Sequence, residues 1–259
     1  MKKIALIVSG WHFPLQPYEA FAKQKLPEGW ELHKFCVSHR DPKHAIKEKK
    51  KRELPDTRRG RLDAILYKEM ATKDKIESLG WNYKEYPNTI GDWGNANQWL
   101  EDNNYKDYDL ILISHDDNLI LHNRLFADII EEESFKDWEI LANTVGMPPG
   151  SIRGSFEFFK PSLLEKIGGK FDLSETKLTR VGETSATENI GELYDWNSTV
   201  YPLQRFIKEN NVPLAFLSPS YRVSAYCIEG ERGYISNTHG GNTVFEEEGL
   251  NHLEKHGVI

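Results

Sequence analysis

The stretch that decides the fold reads Leu110-Ile111-Leu112-Ile113-Ser114-His115-Asp116-Asp117-Asn118. Its first four residues are leucine and isoleucine without interruption, and polar residues bound them on both sides. This pattern predicts a strand buried inside a sheet. In open α/β sheets, ligands bind beyond the carboxyl ends of the strands. The polar residues that follow Ile113 are therefore the first candidates for a functional site.

Apolar runs elsewhere in the chain alternate with helical patterns. Residues 4–8 form a second apolar run that ends in Ser-Gly, and residues 31–38 become apolar towards their end. Apolar residues at helical spacing predict a helix over residues 62–79, and glycines predict a turn over residues 91–95 that leads into a helix. The alternation predicts a mixed α/β sheet with mainly parallel central strands flanked by helices, in one domain over residues 1–259.

Composition excludes several classes of protein. The chain has 259 residues, enough for one large α/β domain, and a net charge of −7 that argues against a general nucleic-acid binder. The apolar run after Met1 is too short for a signal core, and nowhere do eighteen apolar residues run together. We therefore expect a cytoplasmic protein with no membrane span, whose Cys36 and Cys227 are buried and reduced.

A basic segment over residues 43–61 has two interpretations. It contains Lys47-Glu48-Lys49-Lys50-Lys51-Arg52 and Arg58-Arg59-Gly60-Arg61. A solvated loop is the simpler interpretation. A lid that binds phosphate or the acceptor is the alternative.

The two acids after the central strand suggest a cation site. Adjacent carboxylates at a strand end repel each other and lose hydration, so a positive partner is needed to offset that cost. A divalent cation with oxygen ligands is one such partner, and Mg²⁺ or Mn²⁺ suits carboxylates together with phosphate oxygens. An aspartate pair that makes a turn or caps a helix is the alternative.

The segment resembles the DxD region of GT-A glycosyltransferases, in which acids at the end of a central strand bind the metal of a nucleotide-sugar. His115 stands where the first acid of that motif is usual, so the motif here reads His115-Asp116-Asp117. The resemblance implies a GT-A-type, Rossmann-like fold and Mn²⁺ or Mg²⁺ as cofactor. It also implies Asp117 as the direct metal ligand, and Asp116 as a contact to the metal or the ribose.

Further stretches are similar to the same family in the same order. The glycine- and asparagine-rich residues 91–97 resemble the turn that lies against the nucleoside, and the loops after the first two strands would flank the base and ribose. The nucleotide-binding residues implied by this resemblance are Ser9, Gly10, Trp11, Ser38, His39, Asp92, Asn95 and Asp116.

The second half of the chain resembles the acceptor-binding half of the family. Residues 154–172 are similar to the segment from the donor-sugar pocket to a Leu-Leu-x-x-Ile-Gly-Gly-Phe-Asp element, which implies Gly154 and Ser155 at the donor sugar. His239, between Thr238 and Gly240, matches a histidine that completes the metal site in many GT-A enzymes. The family also places an acid before a helix that carries an arginine, here Arg205. The candidate catalytic bases are Asp195, then Glu192 and Glu188.

The resemblance implies a metal-dependent glycosyltransferase. It would move a sugar from a nucleoside-diphosphate sugar to a hydroxyl of a glycan or other acceptor, with about residues 1–120 binding the nucleotide and about 121–259 binding the acceptor and forming a tail. A sugar nucleotidyltransferase is one alternative, although that class carries a Gly-rich loop with Arg or Lys after the first strand, which residues 9–12 lack. A non-catalytic carbohydrate-binding module is another, and it would not need the paired acids.

Overall fold

The computed structural model describes residues 1–49, 66–87, 91–120, 123–133, 136–142, 156–176, 178–179, 193–194, 196–217 and 235–237. The strands are β1 Lys2–Gly10, β2 Trp30–Ser38, β3 Asn82–Glu85, β4 Leu110–His115, β5 Asn118–Ile120, β6 Ile140–Ala142, β7 Phe156–Phe159, β8 Leu178–Thr179, β9 Leu193–Tyr194, β10 Leu214–Phe216 and β11 Ile235–Asn237. The α-helices are α1 Leu15–Ala22, α2 Pro42–Lys49, α3 Lys73–Ser78, α4 Gly91–Asp102, α5 Leu125–Glu133, α6 Pro161–Lys166 and α7 Trp196–Glu209.

A seven-stranded sheet organises the described residues. Its strand order is β10-β6-β7-β4-β1-β2-β3. The pairs β1–β2, β1–β4, β2–β3 and β6–β10 are parallel, and β7 runs antiparallel to both of its neighbours. Two further antiparallel pairs, β5–β11 and β8–β9, lie outside this sheet. The predicted mixed α/β fold with mainly parallel central strands and flanking helices is confirmed.

The sheet buries apolar side chains on both faces, as the uninterrupted runs predict. Along β1 and β4, alternate residues point to opposite faces because successive strand side chains alternate. Ile4, Leu6 and Leu112 pack with Tyr18 and other side chains on one face. On the other face Ala5, Ile7, Ile111 and Ile113 pack with Trp93 and Trp99. Each fully buried Leu or Ile contributes roughly 1.5–3 kcal/mol, so the two central strands anchor the fold.

Two predicted elements differ from the observed ones. A continuous helix over residues 62–79 is wrong, because Met70 forms a bridge with Pro14 and a separate helix, α3, begins only at Lys73. Residues 91–95 are not a turn but the first residues of α4, which begins at Gly91. There Trp93 turns into the core and is 2% exposed, so packing outweighs the low helix propensity of glycine.

Candidate active site at the carboxyl edge of the sheet

The carboxyl ends of three parallel strands meet at one edge of the sheet. β1 pairs with β2 on one side and with β4 on the other, and this register sets Gly10 beside Ser38 and Ser9 beside His115. The strand order therefore reverses around β1, which makes this edge a topological switch point. Such points open a crevice beyond the strand ends, where α/β proteins bind ligands.

A two-residue turn, Asp116-Asp117, joins β4 to β5 at this edge. The Asn118 side-chain nitrogen donates to Ser114 Oγ at 2.9 Å and to the main-chain oxygen of His115 at 3.2 Å, which closes the turn. Asp116 is 1% exposed and Asp117 is 3% exposed. Burial of two adjacent carboxylates is costly unless each finds compensating partners. The two side chains find different ones.

Asp116 turns towards the loop that follows β1. Its Oδ2 accepts hydrogen bonds from the main-chain N–H groups of Trp11 at 2.9 Å, His12 at 2.9 Å and Phe13 at 2.7 Å. The Tyr18 hydroxyl lies 3.4 Å from the same oxygen. Burial raises the pKa of Asp116 to about 7, although the main-chain hydrogen bonds oppose the rise. The Asp116 carboxylate therefore holds the turn after β4 and the loop after β1 together.

Asp117 lies in an acidic group around a half-buried histidine, His115, whose side chain is 16% exposed. His115 Nε2 is 3.2 Å from Asp92 Oδ2, and His115 Nδ1 is 3.8 Å from Asp117 Oδ1. Asp92 belongs to the first turn of α4. Burial lowers the pKa of His115, but the nearby carboxylates of Asp92, Asp117, Glu157 and Asp116 outweigh burial, and the pKa is raised. The imidazole thus links the acidic turn to the start of α4.

An aromatic and cationic group adjoins the acidic one. The Arg40 guanidinium lies 4.3 Å from the ring centre of Trp11, and the rings of Trp11 and His39 are 5.0 Å apart at 46°. The Asn95 side-chain nitrogen is 3.2 Å from His39 Nδ1. Burial lowers the pKa of His39, while the charge of Asp92 opposes that shift. Neutral rings and an amide are suited to contact a flat heteroaromatic ligand.

Small residues let the strand ends approach closely. A Cβ on Gly10 would lie 2.6 Å from the Phe13 ring, so glycine allows the loop to fold back over β1. Ser38 Oγ lies 2.6 Å from the main-chain oxygen of Gly10 and accepts from the Arg40 N–H at 3.0 Å. Among the described residues, no group hydrogen-bonds the Ser9 hydroxyl, which is buried.

Glu157 is a site residue that the sequence interpretation missed. It is 0% exposed, lies in β7 opposite Ile113, and accepts a hydrogen bond from the Phe156 N–H at 3.0 Å through Oε2. Its charge contributes to the raised pKa of His115. A single acid inside the aromatic run 156–159 is the sequence signal that could have drawn attention to it, since acids are rarely fully buried.

The other predicted site residues lie outside the described ranges. They are Gly154, Ser155, Glu188, Glu192, Asp195 and His239. Three described elements adjoin them in sequence: β7 begins directly after Ser155, α7 begins directly after Asp195, and β11 ends two residues before His239. Within the described ranges, no group of three or more His, Cys, Asp or Glu side chains is arranged to hold a metal ion.

A groove of about 380 Å³ lies away from these residues, between the edge strand β3 and helix α4. Its lining includes Trp81, Tyr83, Lys84, Tyr86 and Asp102, and none of the predicted site residues. The chemistry at the switch point and the groove are therefore separate features. None of the described helices is long and apolar enough to cross a membrane.

No protein-family model matches the chain, and no curated protein matches it. Solved structures do match. TarS of S. aureus is 13% identical at a TM-score of 0.48, over 100% of this chain and 39% of that one. A mannosyltransferase from Pyrobaculum calidifontis, in complex with GDP-Man and Mn²⁺, is 14% identical at a TM-score of 0.42, over 65% of this chain and 47% of that one.

A cytidylyltransferase from Leptospira borgpetersenii is similar to the same degree, 13% identical at a TM-score of 0.42, over 84% of this chain and 76% of that one. The chain thus spans less than half the length of the first two structures. All three TM-scores lie below 0.5, and no functional conclusion follows from these likenesses.

Proposed function

We propose that the chain is a metal-dependent glycosyltransferase that moves a sugar from a nucleoside-diphosphate sugar to a hydroxyl of a glycan or other acceptor. One observation carries the proposal: an acidic turn and an aromatic surface meet at the switch point. Asp117 suits a divalent cation, which would in turn hold the diphosphate, and Trp11 with His39 suits a base. The two parts adjoin, because the Trp11 N–H lies 2.9 Å from Asp116.

Mn²⁺ or Mg²⁺ is proposed at Asp117. Carboxylates suit both ions, and a neutral imidazole is an ordinary ligand of Mn²⁺. Asp117 offers carboxylate oxygens, and the remaining ligands would come from the diphosphate and His239. Asn237 pairs with Asn118, next to Asp117, and His239 follows two residues later, at most about 7 Å of extended chain. When bound, the cation would neutralise charge on the leaving diphosphate.

The nucleoside is proposed to lie against the aromatic group. Trp11 and His39 would contact the base, with Asn95 and Asp92 of α4 beside them. Asn95 holds His39 in place, since its side-chain nitrogen lies 3.2 Å from His39 Nδ1. Ser9, Gly10 and Ser38 would line the bottom of the crevice in which the nucleoside binds. The contact predicted for Asp116 would fall to Oδ1, because Oδ2 accepts three main-chain hydrogen bonds.

The sugar and the acceptor are proposed to bind to the second half of the chain, about residues 121–259. Both halves belong to one domain. Gly154 and Ser155 would contact the donor sugar. Asp195, with Glu192 and Glu188 as alternatives, would accept the proton of the acceptor hydroxyl. In an inverting reaction that oxygen bonds to the anomeric carbon while the bond to the diphosphate breaks. Asp195 directly precedes α7, whose Arg205 pairs with Glu175.

A sugar nucleotidyltransferase is disfavoured by the loop after β1. Main-chain N–H groups after the first strand are the ones that commonly bind nucleotide phosphates. Here the N–H groups of Trp11, His12 and Phe13 all donate to Asp116. They are therefore not available to a triphosphate in this conformation. A carbohydrate-binding module is also disfavoured, since it would have no use for a buried acidic turn.

Titration calorimetry with UDP, GDP, CDP and their sugar conjugates, with and without Mn²⁺, tests the proposal. We expect one base to be preferred and Mn²⁺ to strengthen its binding. Hydrolysis or transfer of the sugar from the preferred conjugate should then release the nucleoside diphosphate, measured by chromatography.

Two results would overturn the proposal. If nucleoside triphosphate and sugar phosphate react to release pyrophosphate, the chain is a nucleotidyltransferase. If glycans bind but no nucleotide does, under any metal condition, it is a binding module.

A further inference from the structure

Asp116 makes an unusual set of contacts for an acid in a proposed metal-binding turn. Three consecutive main-chain N–H groups, those of Trp11, His12 and Phe13, converge on one of its oxygens within 2.9 Å. Consecutive N–H groups that point into one concavity form an anion-binding nest. The anion in this nest is a side chain of the protein itself, 1% exposed.

The loop adopts a conformation that needs outside support. Phe13 has a φ of 53°, in the left-handed region that a bulky residue rarely adopts. Such strain persists only where the surroundings over-determine it. Two surroundings do so here: the Phe13 side chain is 0% exposed in the core, and its N–H donates to Asp116 at 2.7 Å. The Tyr18 hydroxyl, 3.4 Å from the same oxygen, adds a fourth polar neighbour.

The loop carries the aromatic surface of the site. Trp11 lies against Arg40 and His39, and His12 lies 5.9 Å from the ring of Tyr67, measured between ring centres. Rotation of the loop would move the indole away from these neighbours. The orientation of Trp11 therefore depends on a carboxylate that belongs to the turn after β4.

We propose that Asp116 is a positioning residue, which holds the loop 11–13 in the conformation that presents Trp11 to the nucleoside. Through Asp116, the base-binding side of the site is connected to the metal-binding turn. Its neighbour Asp117 keeps the role of metal ligand. The inference rests on the proposed function for the identity of the ligand. The contacts between Asp116 and the loop are independent of it.

Binding of UDP and GDP to Asp116→Asn, Asp117→Asn and wild type separates the two roles. Asparagine keeps the shape of the side chain but loses the charge that three N–H donors share. We expect Asp116→Asn to weaken binding of the preferred nucleotide on the order of ten-fold, equally with and without Mn²⁺, because a misplaced contact group costs affinity. Asp117→Asn should instead remove the strengthening by Mn²⁺. If Asp116→Asn removes it as well, Asp116 is a metal ligand and the inference is wrong.

Amide hydrogen exchange, without any nucleotide, tests the loop itself. We expect the amides of Trp11, His12 and Phe13 to exchange at least about ten-fold faster in Asp116→Asn, because loss of a hydrogen bond opens the local structure. Asp109→Asn is the control, since the Asp109 carboxylate also accepts from a main-chain amide, that of Lys3 at 2.8 Å, but at the opposite end of β1 from the loop. It should leave both the loop and nucleotide binding unchanged.

The exchange result also separates this inference from the proposed function. If wild type binds none of UDP, GDP, CDP and their sugar conjugates while the loop amides still respond to Asp116→Asn, the proposed function fails and the positioning role stands. If the loop amides do not respond, the positioning role fails. Should Asp116→Asn not fold, Tyr18→Phe removes only the hydroxyl at 3.4 Å and should speed loop exchange by about two-fold or more. No change in Tyr18→Phe would then count against the inference.

Discussion

Trp11 is the side chain whose role is easiest to isolate. It is half-buried and lies against Arg40 and His39 at the crevice. If it contacts the base, Trp11→Ala should weaken nucleotide binding by about 1–3 kcal/mol, the usual worth of stacking between a base and an aromatic side chain. Calorimetry with UDP and GDP measures the loss.

Trp30→Ala is the matched control for Trp11→Ala. Trp30 is also half-buried and lies beneath a cation, Lys2 at 5.1 Å, but at the start of β2, opposite the proposed site. Its loss should change stability and leave nucleotide affinity as it was. Equal losses of affinity in both variants would show that Trp11 acts only through the fold.

Asp117 is the residue on which the metal proposal depends. It is 3% exposed, and its Oδ1 lies 3.8 Å from His115 Nδ1. Asp117→Asn keeps the volume and removes the charge, so we expect affinity for Mn²⁺ in the presence of nucleotide to fall at least about 10–100-fold, the range seen even for residues that only support a metal ligand. Electron paramagnetic resonance of Mn²⁺ measures the free ion directly. Unchanged Mn²⁺ binding would remove Asp117 from the metal site.

At the residue scale, sequence predicted which residues gather but not what each one contacts. Residues at the ends of three strands, such as Ser9, Ser38 and His115, meet because parallel strands end at one edge, and that follows from the pattern alone. The partners of Asp116 are about a hundred positions away, in the loop after β1. Contacts of this kind depend on how a loop folds back, which local sequence does not encode.

Helix α4 is the element that carries Asp92 and Asn95 into the site. Its position depends on Asn97, whose side chain donates to the main-chain oxygen of Phe171 at 2.9 Å and accepts from the Phe171 N–H at 2.8 Å. Asn97→Ala leaves both groups of Phe171 without this partner. We expect it to lower the free energy of unfolding by about 1–3 kcal/mol, measured by urea denaturation.

Glu101→Ala, on the exposed side of the same helix, is the comparison for Asn97→Ala. It should change stability by less than about 0.5 kcal/mol, as surface substitutions do. A loss in Asn97→Ala no greater than that in Glu101→Ala would mean that the paired hydrogen bonds do not anchor α4.

At the element scale, the prediction succeeded where burial is uniform and failed where tertiary contacts intervene. Uninterrupted apolar runs predicted β1 and β4, because a strand covered on both faces has no polar side. The helical spacing over residues 62–79 failed, because residues 67–72 are not helical and Met70 instead forms a bridge with Pro14, far away in the sequence. β7 was not predicted as a strand, since Glu157 breaks its apolar character.

At the scale of the whole molecule, the order of strands creates the site. The first strand lies inside the described sheet, between β2 and β4. The chain places β2 and β3 on one side of β1 and then crosses over to place β4 on the other side. Sequence indicates alternating strands and helices but not this order, because pairing between strands is decided by contacts far apart in the chain. The crevice where the strand order reverses around β1 could therefore be located only from the three-dimensional structure.

A ligand bound at that crevice should stabilise the whole fold, because the crevice joins three strands and two loops that unfolding would separate. A nucleotide with Mn²⁺ that binds only the native state, at a hundred times its dissociation constant, adds about 2.7 kcal/mol. For a chain of this size that corresponds to a rise in Tm of roughly 5–10 °C. Differential scanning calorimetry with UDP or GDP, with Mn²⁺ and with EDTA, measures it. In Asp117→Asn the rise with nucleotide and Mn²⁺ should be no larger than the rise with nucleotide and EDTA, whereas an equal rise with Mn²⁺ alone and no nucleotide would place the stabilising site elsewhere.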